Sequence, residues 1–216
     1  MRSPPAQHWL AITPVPETTA RAHRMPRVLA WQLRAELLLS ACSILVFAAQ
    51  AVGLVWLLRA GGLAIDWDRP LWHLAWELPV LYVWNELHFF AVHRLLHWRP
   101  LYRRVHIWHH RSVVTTPFSA YSFHPVEAFL LGTVLPLALV LHAFSPWALL
   151  GLTVMSLLLN VAGHLPHDRL CAAFAFAHSH SRRHNRHHRD SRVHYAFSLP
   201  LLDRWFAGQS AGGARC

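Results

Sequence analysis

Long apolar stretches alternate along this chain with stretches rich in arginine and histidine. The uncharged run 37–58 exceeds the roughly 20 residues that a bilayer-spanning helix needs, so it predicts a first span. A second apolar stretch, rich in aromatic residues, covers 71–92, and a third covers 128–162 with an interruption at Ser145-Pro146. Because each half of the third stretch is about 17 residues long, we predict two short tilted helices there, the first kinked at Pro136.

The arginines predict the topology of these spans. They are frequent before the first span, after the second and beyond the fourth, whereas the intervening turns carry balanced charge or none. The positive-inside rule places all three arginine-rich segments on the cytoplasmic side. The sequence therefore predicts an all-α, multi-pass integral membrane protein, with about four transmembrane helices in two hairpins and a cytoplasmic, histidine-rich helical cap. We place the membrane domain at 35–208, between a flexible basic tail at 1–34 without a cleavable signal peptide and a C-terminal tail at 209–216.

The composition limits the partners. The chain of 216 residues is 54% hydrophobic, yet it carries a formal net charge of +10, and all 20 basic residues are arginine. Nucleic acid is a common partner of so basic a chain, but these arginines flank apolar spans or alternate with histidines and form no separate basic face. We therefore expect anionic lipid headgroups as partners and no nucleic acid. Three scattered cysteines predict neither a disulfide framework nor a thiolate metal site.

The 19 histidines are the candidate chemistry of the chain. Many of them recur at spacings of three or four residues, which on a helix puts them on one face. Imidazole is a good ligand for Fe, Zn, Cu or Ni. The three patterns together offer more nitrogens than one ion can bind, and the predicted topology places them on one side of the membrane, so we expect a two-metal centre. The clustered residues are His93 and His97; His106, His109 and His110; and His184, His187 and His188.

Isolated histidines receive no role in this interpretation. His8, His23, His73 and His142 stand alone in the sequence, as structural or surface histidines commonly do. The tract 178–188 taken by itself also fits a solvated, metal-scavenging tail. The same alternative does not suit 93–110, because leucine, valine, isoleucine and tryptophan lie between those histidines and their helices must pack.

The order of these motifs resembles the fatty acid hydroxylase/sterol desaturase superfamily of membrane di-metal enzymes, and in particular its sterol desaturase-like branch. The resemblance covers roughly 84–208. It rests on six segments: HRLLH at 93–97, HIWHH at 106–110, FHPVE at 123–127, NVAGH at 160–164, HNRHH at 184–188 and LPLLDRWFAG at 199–208. The resemblance implies O2-dependent hydroxylation or desaturation of a lipid C–H bond. It also implies two iron ions as cofactors and electrons from a separate redox partner.

Nine histidines are the metal ligands that the motifs and the resemblance favour: His93, His97, His106, His109, His110, His164, His184, His187 and His188. No catalytic residue beyond these ligands is predicted. Further histidines are expected either to bind metal or to orient the ligands: His88, His124, His167 and His180. Four carboxylates are candidates for holding imidazole N–H groups: Glu86, Glu127, Asp168 and Asp203. Glu127 has a second interpretation as a favourable acid at a helix N-terminus, and Asp203 as an ion-pair partner of an arginine.

Two departures from the family pattern bear on the site. His194-Tyr195-Ala196 stands where the family often has Asn-Tyr-Gly, so His194 is either an extra polar group at the site or a tolerated change. Asn160 stands where some members carry a histidine, which leaves the coordination number of one metal open.

Two other functions remain alternatives at this stage. All-nitrogen sites suit zinc as well as iron, which allows a zinc-dependent membrane hydrolase, although no serine or cysteine stands in a convincing nucleophilic setting. Zinc is also a possible replacement for iron in purified material. A metal transporter or store is the third interpretation, but the ionisable residues mostly flank the spans, whereas transport sites lie near mid-bilayer. The substrate stays open among sterols, fatty acyl chains and related lipids.

A group of aromatic residues near the second span has two interpretations of equal weight. These side chains either line the path by which a lipid reaches the site or anchor the protein at the membrane interface. The group comprises Trp72, Trp76, Tyr82, Trp84, Phe89 and Phe90.

Overall fold

The computed structural model describes residues 30–165 and 175–206, and all regular secondary structure within them is helical. The prediction of an all-α fold is therefore confirmed. The helices are α1 (Ala30–Arg59), α2 (Leu74–Leu96), α3 (Arg99–Leu101), α4 (Ile107–His110), α5 (Pro125–Gly132), α6 (Val134–Leu141), α7 (Pro146–His164), α8 (Ala175–Arg189) and α9 (Leu201–Phe206). Leu71–His73 and Pro117–Tyr121 form 3-10 turns, and Tyr102–His106 forms a π-helical turn.

Two of the described helices are long and apolar enough to cross a membrane by length and composition. They are α1, with 30 residues and a mean hydropathy of 2.2, and α7, with 19 residues and a mean hydropathy of 1.6. Helix α2 has 23 residues but contains buried Glu77 and Glu86. Helices α5 and α6 together form a shorter apolar segment. The arrangement of four spans in two hairpins stays a prediction.

Helix α1 buries polar side chains and exposes apolar ones. Its buried residues are Gln32, Glu36 and Ser43, whereas Leu38 and Leu45 are about 70% exposed. A helix in water shows the reverse pattern. Surrounding lipid explains the observed one, because hydrocarbon solvates leucine and leaves polar side chains to find partners inside the protein.

Two predicted features differ in detail from the structure. Helix α1 begins at Ala30, inside the tail predicted at 1–34, because Gln32 on its first turn takes part in the buried contacts described below. Residues 1–29 and 207–216 of the predicted tails and of the membrane domain lie outside the described residues. The break expected at Pro136 lies between Gly132 and Val134. Pro136 is the third residue of α6, where a backbone N–H has no intrahelical acceptor and its absence costs nothing.

The apolar core lies between α2, α6 and α7. Leu81 of α2 and Leu152 of α7 are fully buried there, together with Ala138, Leu139, Phe144, Ala148 and Leu149. At the end of the core, Glu77 is completely buried and accepts hydrogen bonds from Ser145 N (3.0 Å) and Ser145 Oγ (2.5 Å). Ser145 in turn accepts from Ala148 N and caps α7. This end of the bundle is therefore fixed by hydrogen bonds, away from the clustered histidines of α4 and α8.

At the opposite end, Glu36 connects α1 to the loop after α4. Its carboxylate is 1% exposed and accepts hydrogen bonds from Gln32 Nε2 (2.7 Å), Ser112 Oγ (2.7 Å) and Thr116 Oγ1 (2.6 Å). Gln32 also donates to Val114 O. The start of α1 is thereby attached to the segment that follows the histidines of α4.

Replacement of Glu36 by alanine is expected to lower the free energy of unfolding by about 3 kcal/mol, because several buried donors lose their charged acceptor together. Equilibrium unfolding in mixed micelles, followed by tryptophan fluorescence, measures this change. Ser40→Ala is the matched control on the same helix, since it removes a single exposed hydrogen bond to Phe118 O and should cost less than about 1 kcal/mol. Equal stability of the two variants would contradict the structural role of Glu36.

Candidate metal centre

The nine histidines selected from the sequence lie together in two groups. Within each group the candidate ligand atoms lie within 4.8 Å of one another. The five-histidine cluster contains His93, His97, His106, His110 and His187. The four-histidine cluster contains His109, His164, His184 and His188. The two clusters are adjacent: across them, the ring centroids of His110 and His188 lie 5.0 Å apart, and those of His106 and His109 lie 5.5 Å apart.

Helical geometry explains how one short motif serves both clusters. Residues four apart share a helix face, so His106 and His110 belong to one cluster, and His184 and His188 to the other. Consecutive residues are about 100° apart around the axis, so the direct neighbours of His110 and His188 point to the opposite cluster. A motif of the form HxxHH therefore bridges two metal positions.

Burial keeps these imidazoles neutral. All nine are buried except His97, which is half-buried. Burial lowers the pKa of six clustered histidines well below its ordinary value, and the neighbouring imidazoles lower it further. These are His106, His109, His110, His184, His187 and His188. A neutral imidazole has a lone pair for a metal ion and needs no proton removed.

Main-chain carbonyls and one carboxylate hold the outer nitrogens of five of these rings. Carbonyl oxygen only accepts, so the proton lies on Nδ1, and the Nε2 lone pair points inward. The contacts of Nδ1 are His93 to Tyr195 O (2.8 Å), His187 to Val193 O (2.6 Å), His164 to Asn160 O (2.7 Å), His109 to Ser122 O (3.4 Å) and His106 to Glu127 Oε1 (2.8 Å).

The inner nitrogens fit a shared cation. His109 Nε2 and His164 Nε2 lie 3.4 Å apart, and because each ring has its proton on Nδ1, this contact has no hydrogen between the two lone pairs. Other inner contacts measure 3.0 Å (His164 to His184) and 3.1 Å (His97 to His187). Two nitrogens bound to one ion at about 2.1 Å lie roughly 3.0 to 3.4 Å apart. The donor set and its spacing therefore suit metal ions.

Two further nitrogens support the same conclusion. His106 Nε2 and His110 Nε2 are buried and have no hydrogen-bond partner. An unpaired buried nitrogen is costly unless something fills the position opposite it. Glu127 already holds Nδ1 of His106, so the unpaired Nε2 of the same ring is available as a ligand atom in the five-histidine cluster.

The residues predicted either to bind metal or to orient the ligands make different contacts in the structure. Glu127 contacts His106, and it also lies in the first turn of α5, so both of its interpretations are compatible with the structure. His124 Nδ1 accepts from Val126 N and caps α5, outside both clusters. His180 Nε2 donates to Leu159 O beside the four-histidine cluster. His167 and Asp168 lie outside the described residues.

Within the described part of the chain, Glu86 and Asp203 contact no imidazole nitrogen. They hold the segment 195–199, in which the Tyr195 carbonyl contacts His93. Glu86 accepts from Ser198 N (3.0 Å), Ser198 Oγ and Leu199 N, and Asp203 accepts from Tyr195 N (2.8 Å) and Ala196 N. This segment supplies the carbonyl of Tyr195 to His93. The two carboxylates thus act one step further from the metal positions than the sequence predicts.

His194 has the backbone conformation that explains the departure from Asn-Tyr-Gly. Its φ is 59°, in the left-handed region that asparagine and histidine enter more readily than most residues. The described contacts place His194 in neither histidine cluster. Its neighbours Val193 and Tyr195 both direct their carbonyls at histidines, so the turn at His194 serves the site through the backbone.

An apolar cavity of about 330 Å³ adjoins the clusters, between α1, α2, α5, α6 and α7. Phe89, Phe123, Leu131 and Asn160 line both this cavity and the narrow space against the histidines. Of the six aromatic residues near α2, Phe89 is on the cavity wall, whereas Trp72 is 68% exposed. His88, on the same wall, is paired with Thr133 Oγ1 at 3.0 Å.

Sequence reasoning missed the main-chain ligand holders and the cavity residues Asn85 and Ser156. A carbonyl acceptor has no signature, because every residue provides one. Asn85 was visible as a polar residue within an apolar stretch, and its i, i+4 relation to Phe89 and i, i+8 relation to His93 are the signals that place it on the same helix face.

Comparison with known proteins agrees with this geometry. The fatty acid hydroxylase family matches residues 78–208. A Delta(7)-sterol 5(6)-desaturase of Saccharomyces cerevisiae is 46% identical over 59 residues, 26% of this chain and 16% of that protein. The lathosterol oxidase of Rattus norvegicus is 28% identical over 142 residues, 64% of this chain and 46% of that protein. The chain thus spans less than half the length of these relatives, and no solved structure matches it. Because the family match covers more than half of the chain, this protein belongs to the fatty acid hydroxylase family.

Proposed function

We propose that this protein is a membrane oxidoreductase that uses O2 to hydroxylate or desaturate a C–H bond of a lipid. The observation that carries this proposal is the pair of all-histidine clusters beside an apolar cavity. Two adjacent metal positions share the electrons that O2 chemistry needs, and the cavity accepts a lipid without passage through water. The lipid oxidoreductases among the relatives support the same class, and they do not favour a zinc hydrolase or a metal transporter.

Iron bound by the nine histidines would supply the redox chemistry that activates O2 and oxidises the C–H bond. The chain's own residues hold and orient the ions: Glu127 and the carbonyls of Tyr195, Val193, Asn160 and Ser122 fix the inward ring nitrogens. Phe89, Phe123 and Leu131 form the apolar boundary between the lipid and the clusters and exclude water from it. Electrons come from a separate redox partner.

A sterol is the substrate to test first, because the names of the relatives identify them as sterol enzymes. We also propose the predicted multi-pass topology with the histidines on the cytoplasmic side. The inverted burial of α1 and the hydropathy of α1 and α7 support a membrane location.

Metal content tests the two clusters separately. Iron-loaded wild-type protein is expected to hold about two iron ions per chain with a coupled di-iron Mössbauer signature. His187→Ala in the five-histidine cluster and His109→Ala in the four-histidine cluster should each lose roughly one ion, and the double variant both. His73→Ala, a histidine outside both clusters, is the control. Full iron content in the double variant would refute the assignment, and persistent zinc without iron would favour the hydrolase.

Gly163→Ala is expected to lower the iron content without touching a ligand. A Cβ at Gly163 would lie 2.9 Å from His180 Nε2 and 3.6 Å from His184 Cδ2, so α7 and α8 must separate and the four-histidine cluster widens. Gly53→Ala is the matched control, because a Cβ there meets nothing within 4 Å. Metal analysis and Mössbauer spectra of both variants measure the effect. Wild-type iron content in Gly163→Ala would show that the approach of these helices does not set the cluster.

Turnover tests the reaction itself. Iron-loaded protein in lipid nanodiscs, supplied with O2 and a reducing system, is expected to convert lathosterol either to a product with two fewer hydrogens or to one with an added oxygen. Mass spectrometry distinguishes the two outcomes. The double variant His109→Ala, His187→Ala serves as the blank. If neither lathosterol nor a broad lipid extract is oxidised and no O2 is consumed by protein of verified iron content, the oxidoreductase proposal is wrong.

A further inference from the structure

The cavity wall contains a buried amide with an unpaired donor. Asn85 of α2 lines the cavity and is 5% exposed. Its Oδ1 accepts a hydrogen bond from Ser156 Oγ of α7 at 2.9 Å, and its Nδ2 has no hydrogen-bond partner. An unpaired amide N–H in an apolar environment is costly. The contact with Ser156 gives the amide oxygen of Asn85 a partner but leaves its amide nitrogen without one.

Two other polar groups on the same wall have used their donors. Thr153 Oγ1 donates to Leu149 O of its own helix at 2.9 Å, and Gln50 Nε2 donates to Phe129 O at 3.0 Å. Asn85 differs from both, because its donor pairs with none of the described protein atoms, whereas the unpaired buried atom of Gln50 is the acceptor Oε1. Asn85 is placed as a binding group for something inside the cavity.

The position of the pair fits a substrate-orienting role. Asn85 lies eight residues before His93 on α2, and Ser156 lies eight residues before His164 on α7, so each is about 12 Å from its histidine along the helix axis. Phe89 and Asn160 lie between, on the boundary with the clusters. One turn beyond the pair, fully buried Leu81 and Leu152 belong to the apolar core, and Leu152 also forms part of the cavity wall. The polar pair thus lies on the cavity wall, on the side away from the histidine clusters.

We propose that Asn85, held by Ser156, donates a hydrogen bond to an oxygen atom of the lipid substrate. The substrate class is then a lipid with a hydroxyl or carbonyl oxygen that enters the cavity, and not a plain hydrocarbon chain. Binding of this oxygen fixes how far the lipid enters and so which carbon faces the histidine clusters. That the bound lipid is a substrate rests on the proposed function, whereas the hydrogen bond itself can form without turnover.

Binding without reductant tests the contact independently of turnover. Iron-loaded protein in nanodiscs is titrated with tritiated lathosterol in competition with its 3-ketone and its 3-deoxy hydrocarbon. Wild-type protein is expected to bind the alcohol and the ketone about tenfold more tightly than the hydrocarbon, the effect of one buried hydrogen bond. Asn85→Leu, which keeps the number and branching of the side-chain heavy atoms and removes the donor, should abolish this preference.

Thr153→Val is the matched control, because its hydroxyl is on the same wall but its donor is already paired; it should discriminate as wild type does. Unchanged affinity of Asn85→Leu for the hydrocarbon shows that this variant is folded. If that affinity is lost, Ser156→Ala decides, since an amide without its partner should lose most of the preference. The proposal would be overturned if wild-type protein bound the alcohol and the hydrocarbon equally well, or if it bound neither. A preference retained in both variants would place the oxygen elsewhere and overturn it as well.

The design separates this inference from the proposed function. Oxidation of lathosterol with no role for its oxygen would retain the function and remove the Asn85 contact. A preference that depends on Asn85, without any oxidised product under reducing conditions, would retain the contact as a lipid-binding site and remove the oxidoreductase.

Discussion

The structure depends on the packing of nine neutral imidazoles, seven of which have inner nitrogens in contacts of 3.0 to 3.4 Å. Where the proton lies on the outer nitrogen, such contacts oppose lone pairs, and a cation converts that repulsion into coordination. Acceptors for the outer N–H groups hold the rings in this arrangement, and the fold provides one for five of the nine rings. The carbonyls of Ser122, Asn160, Val193 and Tyr195 and the carboxylate of Glu127 provide them from four separate segments.

Eight of the nine histidines could be selected from their spacing because helical periodicity is a local property, whereas His164 was selected through the family resemblance. Spacings of three and four residues put side chains on one face whatever the rest of the fold does. The acceptors could not be selected in this way, since a carbonyl becomes an acceptor only when tertiary structure brings it to a ring. Glu86 shows the same limit: its acidity within an apolar stretch signals a role, but only the structure shows that it holds Ser198 and Leu199, not an imidazole.

The helical content and the first span followed from hydropathy, whereas the helix boundaries did not. Pro136 was expected to kink its helix, but the third residue of a helix tolerates proline and the break occurs before it. Helix α1 begins earlier than its apolar run because Gln32 and Glu36 have buried partners in the loop after α4. A hydropathy window counts Gln32 and Glu36 as polar and therefore starts the span after them. In the structure, these residues belong to α1 and connect it to the loop beside the histidines.

One principle therefore explains the contacts of the buried polar residues of this chain. In an apolar surrounding each polar atom must find a partner, and Glu36, Glu77 and Glu86 all find theirs within the protein. Among the described residues, His106 Nε2, His110 Nε2 and Asn85 Nδ2 are different, because these buried nitrogens have no partner in the protein. Phe89, Phe123, Leu131 and Asn160 line both the cavity of Asn85 and the space against the histidines, so in the proposed site metal ions occupy one end and a lipid oxygen the other.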